Sequence, residues 1–183
     1  DELLTISLVM GHSQFETQQY ADAELSYMKA LELMSDIDER RDDLIDRIAA
    51  SIYRQGEALA AEDKKKEAVE MFLRVAEVSP FSKFRKNADY DAATYLLQLE
   101  EWQRALDLLQ LYRERYDKKK DSLDISSKIL AAYGGLKQFE LAAAELQRVT
   151  ALTKDPEKKR QALFLTAEYY EKAGKEVLAL KMF

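Results

Sequence analysis

An alanine returns at fixed distances along this chain: Ala23, Ala68, Ala105, Ala142 and Ala179, separated by 45, 37, 37 and 37 residues. Each brings its neighbours with it. Four residues later stands a large apolar side chain: Tyr27, Phe72, Leu109, Leu146 and Phe183. Seven residues later come Ala30, Val75, Tyr112 and Val149. Twelve residues earlier come Gly11, Gly56, Ala93, Leu130 and Ala167, small in four of five cases. A fixed period of this size builds stacked units that share one continuous core. Such an array presents surface, so binding is the first expectation.

Between the alanines the pattern is helical. In Ala68–Val78, the apolar residues Ala68, Val69, Met71, Phe72, Val75, Ala76 and Val78 recur every three to four positions. No segment alternates between Gly/Pro turns as a strand would. Each unit splits into a helix A and a helix B. The predicted spans are 3–16 with 18–34, 43–61 with 65–79, 84–99 with 102–117, and 121–134 with 138–153. A fifth A helix covers 157–173, before Gly174. The breaks fall at Glu62–Asp63–Lys64, Ser79–Pro80, Glu100–Glu101, Gly134–Gly135 and Asp155–Pro156. Short side chains let two helices approach to about 8–10 Å. The spacing therefore sets Gly11 opposite Ala23 and Gly56 opposite Ala68, with the aromatic or Leu one turn later wedged between neighbouring pairs.

Composition agrees. With 47% hydrophobic and 34% charged residues, five Gly and two Pro, the chain reads as helical and globular rather than disordered or fibrous. The net charge of −6 is uneven: residues 1–48 hold twelve Asp/Glu against four Lys/Arg, and the remainder 22 against 24. The first repeat thus favours a basic partner and repels nucleic acid and anionic lipid, unless its acids only solvate exposed faces. There is no cysteine, so disulfides and thiolate chemistry are excluded, which is compatible with any compartment, the cytoplasm included. No apolar run reaches the length of a membrane span. Opening on Asp1 and stopping at Phe183, inside an expected B helix, the sequence reads as a piece of a longer protein.

At these residues the chain resembles a tetratricopeptide repeat (TPR) protein. In the second unit, Gly56, Leu59, Ala68, Phe72, Val75 and Pro80 match the family's small, bulky, Ala, aromatic, small-apolar and Pro positions. Tyr20, Trp102 and Phe139 fill a further position that is often aromatic, where Lys65 and Glu176 depart, as does Leu130 where Gly is usual. The resemblance implies an all-α, right-handed superhelical solenoid of antiparallel helix pairs. Its units would run at about 4–37, 49–82, 86–119, 123–156 and an incomplete 160–183, within one domain spanning 1–183. A unit of 37 residues in place of the common 34 is also similar to bacterial cell-envelope TPR proteins of the Bam-lipoprotein and Tol–Pal-associated type. That implies a periplasmic or outer-membrane-associated scaffold.

The same resemblance puts the A helices along a concave groove. Carried over position by position, it marks Tyr53, Glu57, Asn87, Tyr90, Thr94, Ser127, Phe164 and Glu168 as a partner-binding surface. Tyr and Phe give apolar area at low entropic cost, and amide and hydroxyl groups fix a bound segment's register. Tyr53 and Tyr90 also suit plain packing between adjacent A helices, because a tyrosine with a wet hydroxyl serves both uses. Chaperone-binding members hold a carboxylate with Lys and Asn at the fifth and ninth A-helix positions. Here those positions hold Leu8, Tyr53, Tyr90, Ser127, Phe164 and His12, Glu57, Thr94, Ala131, Glu168, so a chaperone-tail clamp is not expected.

Catalytic ingredients are thin. His12 is the one histidine, with no Cys or second His to form a metal site, and reads as a structural or surface residue. Gly134–Gly135 lacks the flanking pattern of a phosphate loop. The adjacent acids Asp42–Asp43 and Glu100–Glu101 diverge around a helix. The basic runs Lys64–Lys66 and Lys118–Lys120 show no recurring nucleic-acid code. The expectation is a non-catalytic scaffold without cofactor or metal, binding a protein or peptide and no nucleic acid, with no membrane insertion by this segment. The alternative is a structural spacer or a self-association module that pairs through the end beyond Ala167, where a missing B helix would leave apolar surface.

Overall fold

The computed structural model of the chain describes residues 2–117 and 122–182. Phe183 and the Lys118–Lys120 run lie outside the described residues. Within them the chain forms helices and no strand: α1 Glu2–Glu16, α2 Tyr20–Leu33, α3 Arg41–Ala61, α4 Lys65–Val78, α5 Arg85–Gln98, α6 Trp102–Tyr116, α7 Leu123–Gly135, α8 Phe139–Leu152, α9 Pro156–Lys172 and α10 Glu176–Leu180. This is an all-α helical repeat, and its helix pairs follow the alanine register.

Each pair is joined by the same turn. Gln18, Asp63, Glu100, Lys137 and Gly174 all have positive φ, between 57° and 71°, and succeed one another at the spacing of the alanines. In every copy the next residue's N–H reaches back five positions to close the helix: Gln19 to Gln14 at 2.8 Å, Lys64 to Leu59 at 2.9 Å, Glu101 to Leu96 at 2.9 Å, Gln138 to Tyr133 at 2.9 Å and Lys175 to Tyr170 at 2.8 Å. This Schellman closure satisfies the last carbonyls of helix A. Only the last copy uses the glycine that a left-handed residue favours.

Polar side chains cap the starts of α7 and α9. Asp155 accepts from the N–H groups of Glu157 (2.9 Å) and Lys158 (3.3 Å), and Pro156, expected as a stop, is also the first residue of α9. The Ser122 hydroxyl accepts from the Ile125 N–H at the start of α7. Gly134 and Gly135, expected as a turn, are instead the last residues of α7. A Cβ at Gly135 would stand 2.2 Å from the Trp102 ring, so this glycine is required by a close approach and not by chain reversal.

Two compact units make up the chain, Asp1–Tyr95 and Leu96–Phe183. In the first, α1 packs on α2, α2 on α3 and α3 on α4. In the second, α6 packs on α7, α7 on α8, α8 on α9 and α9 on α10. Ala23, Ala68, Ala105 and Ala142 have no exposed surface, and Ala179 is 3% exposed. Tyr27, Phe72, Leu109 and Leu146 are buried beside them, while Leu130 is only half-buried.

The partner of each buried glycine differs from the expectation. A Cβ at Gly11 would first meet the Tyr27 ring, at 2.6 Å, and one at Gly56 the Phe72 ring, also at 2.6 Å. The glycine therefore makes room for the aromatic of its own pair, not for the alanine. From that seat Phe72 stacks on Tyr95, with ring centroids 6.1 Å apart, and tilts against Tyr53 at 5.4 Å.

Each unit also buries one carboxylate between consecutive B helices. In the first unit, Glu24 of α2 accepts from Arg74 of α4 (2.5 Å) and Gln55 of α3 (2.6 Å). In the second, Glu145 of α8 accepts from Arg113 of α6 (2.5 and 3.1 Å) and from Arg148, and both arginines also reach the Ser126 hydroxyl. Burial alone would raise the Glu145 carboxyl, but the hydrogen bonds from Arg113 and Arg148 outweigh it and hold it below its usual range.

Candidate functional site

The first unit gathers Tyr53 and Glu57 of α3 with Asn87, Tyr90 and Thr94 of α5. Their fates differ. Tyr53 is 9% exposed, and its hydroxyl donates to Asp91 at 2.7 Å. Its ring lies between those of Phe72 and Phe84, the latter 6.0 Å away. Burial first, then the bond to Asp91, pushes the Tyr53 phenol well above its ordinary pKa. Burial likewise raises the Asp91 carboxyl, against the Tyr53 hydrogen bond, and the nearby Glu57 charge adds to the rise. Glu57 is itself half-buried and pairs with Arg54 at 2.7 Å. The Thr94 hydroxyl donates to the Tyr90 carbonyl (2.9 Å), Tyr90 is half-buried and Asn87 is exposed.

The second unit holds Ser127 on α7 and Phe164 and Glu168 on α9. Ser127 is exposed and returns its hydroxyl to the Leu123 carbonyl at 2.8 Å. Phe164 is 56% exposed, and Glu168 is half-buried.

A cavity of about 210 Å³ lies in the first unit, beyond the expected stripe. Three rings wall it: Phe15 from α1, Tyr27 from α2 and Phe84 just before α5. Ala50, Arg47, Asp46 and Asp43 enter from α3, and Lys83 from the preceding connection. Arg47 is bonded to Asp43 at 2.8 Å, and Lys83 lies over the Phe84 ring, 5.5 Å from its centroid. Asp46 has no ion-pair partner among the described residues. At the edge, His12 Nδ1 is 2.9 Å from the Tyr27 hydroxyl. Burial and the Arg47 charge lower the His12 pKa, so the ring is neutral at pH 7.

Sequence reasoning missed this cavity. Its origin is the surplus of eight residues in the first alanine gap, 45 against 37. Part of that surplus lengthens α3 to 21 residues where α5 has 14, and the added N-terminal turns carry Asp42, Asp43, Asp46 and Arg47. The unequal gap was the available signal.

No helix among the described residues is long and apolar enough to cross a membrane, and none of those residues form a cluster of three or more metal-ligating side chains.

No protein-family model matches the chain, and no curated protein matches it. Solved structures do. MamA 41-end from Desulfovibrio magneticus RS-1 aligns over 100% of this chain and 92% of its own, with a TM-score of 0.54 and 15% identity. MamA AMB-1 aligns over 100% of this chain and 96% of its own, with a TM-score of 0.57 and 14% identity. MamA is a TPR-like helical repeat protein, and at this identity the likeness speaks to fold alone: the chain has the fold of an all-α, TPR-like helical repeat solenoid.

Proposed function

We propose that this chain is a non-catalytic protein-interaction scaffold that binds a segment of a partner protein along the A-helix side of its repeats, here taken as one domain. TPR-like folds of the MamA kind are in general protein-interaction scaffolds. One observation carries the reading for this chain: in the first unit the A helices α1 and α3 contribute, with Tyr27 and Phe84, to an aromatic-walled cavity, and α5 carries the exposed Asn87 and the half-buried Tyr90, while the repeat register spends its alanines on internal packing. Aromatic walls with a few polar groups are what a peptide site needs. Tyr53, Glu57 and Thr94 in the first unit, and Ser127, Phe164 and Glu168 in the second, are proposed as partner-contacting residues, each within its own unit. The 37-residue period supports placing this scaffold in a bacterial envelope-associated assembly.

The test is photo-crosslinking from Asn87, Tyr90 and Ser127, with Lys66 on α4 as the control position. Capture of one common protein from the first three sites, but not from Lys66, supports the reading. Equal capture from all four positions contradicts it. A second reading, self-association, is favoured by the exposed apolar Val177 and Leu180 on α10, 69% and 75% accessible. Sedimentation that shifts with concentration, and stops shifting in Leu180→Glu, would support it.

A further inference from the structure

We propose that the added N-terminal turns of α3 form a docking site for a basic segment of the partner, one that alternates cationic and large apolar side chains. The inference rests on the scaffold reading and names the chemistry of what binds there. Two cavities flank these turns and share Asp46. The first, of about 210 Å³, is the one walled by Phe15, Tyr27 and Phe84. The second, of about 360 Å³, is lined by Asp42, Ile45 and Val78 and ends at Phe81, which is 99% exposed.

Charge decides the occupant. Three carboxylates, Asp42, Asp43 and Asp46, face the pair of cavities against two cations, Arg47 and Lys83. Arg47 is already committed to Asp43, and Lys83 to the Phe84 ring. Asp46, shared by both cavities, is left to meet an incoming cation. A guanidinium or ammonium group in the first cavity would lie against aromatic faces, which attract cations, and beside that carboxylate. The excess of eight negative charges over residues 1–48 draws the same partner from a distance. The apolar neighbours in the segment would cover Ile45 and Phe81. A large aromatic left wholly in water at a connection suits such contact.

The probe is a fluorescein-labelled extended peptide alternating Arg and Leu, compared with Glu–Leu and Ser–Leu versions, against the 183-residue chain by fluorescence anisotropy. The Arg–Leu peptide should bind about tenfold tighter than the Glu–Leu peptide, and salt should erode the difference. Asp46→Lys should weaken it about tenfold and Asp46→Asn about threefold, whereas Glu171→Lys on α9 should leave it unchanged. Phe81→Ser, at a position with no packing to lose, should weaken it while leaving the thermal melt unaltered. Equal binding of the Arg–Leu and Glu–Leu peptides would overturn the proposal. So would Arg–Leu binding that ignores Asp46→Lys and Phe81→Ser but is lost in Tyr90→Ala, an outcome that leaves the scaffold reading standing. Binding of no peptide, while Asn87 still captures a partner, would overturn this site alone; loss of both would overturn both readings.

Discussion

The two units share one backbone plan and fill it with different chemistry. Unit 1 seats an aromatic ring on each glycine, Tyr27 on Gly11 and Phe72 on Gly56. Unit 2 replaces those rings by Leu109 and Leu146, and the positions that match the glycines hold Ala93, at the end of unit 1, and Leu130. Both nevertheless keep the fully buried alanine and the left-handed turn. The recurrent small residue and the turn therefore set the repeat, and the bulky filling is free to vary. The buried carboxylates make the same point. Glu24 is held by one arginine whose side chain stays 36% exposed, Glu145 by Arg113 at 12% and Arg148 at 28%.

That contrast can be broken from either side. Glu145→Ala leaves two facing guanidinium groups with little access to water and should destabilise unit 2 by about 3–5 kcal/mol. Glu24→Ala leaves Arg74 within reach of solvent and should cost unit 1 about 1–3 kcal/mol. Urea unfolding followed by hydrogen exchange in each unit separates the two, and equal losses would refute the distinction. Gly56→Ala should cost about 1–3 kcal/mol by pressing on Phe72, and Phe72→Leu in the same chain should relieve part of it. No such coupling is expected between Leu130→Ala and Leu146.

Acid should act on the units in opposite directions. The folded Glu145 carboxyl titrates below its ordinary range. Its contribution is complete above the unfolded carboxylate pKa and is lost as pH falls through the folded value. The folded Asp91 carboxyl titrates above its ordinary range, so its charge disfavours folding above that value and protonation relieves the cost as pH falls. Hydrogen exchange measured as pH drops through the carboxylate range should show α7 and α8 weakening before α3 and α5. The smallest effect concerns the turns. Lys137→Gly and Glu100→Gly remove a side chain from a left-handed conformation and should each stabilise the chain by about 0.5–1 kcal/mol, read as a rise in Tm.

Much of this plan was legible in the sequence, for a physical reason. Helix packing tolerates only small side chains at a crossing, so Ala23, Ala68, Ala105 and Ala142 carry the period openly, and the helix spans built on them fall within a few residues of those observed. The turns were less legible. Their left-handed residue is enforced by backbone hydrogen bonds that any side chain allows, so Gln18, Asp63 and Lys137 give no sign of it, and of the adjacent glycines that do stand out, Gly134 and Gly135, the second makes room for the Trp102 ring. At the candidate surface, spacing identified Tyr53 and Tyr90 as A-helix residues. It could not show that Asp91 takes up the Tyr53 hydroxyl, because that depends on how α3 and α5 are set side by side. The cavity beside α3 depends on where surplus residues fold, which periodicity does not encode.

Because the chain has no cysteine, one introduced thiol reports directly on whether the alanine register is buried and the A-helix side is open. Cysteines placed singly at Ala68, Ala105 and Ala142 should react with a thiol reagent only on unfolding, about a hundredfold or more slower than cysteines at Asn87 and Ser127. Comparable rates at all five positions would contradict the account.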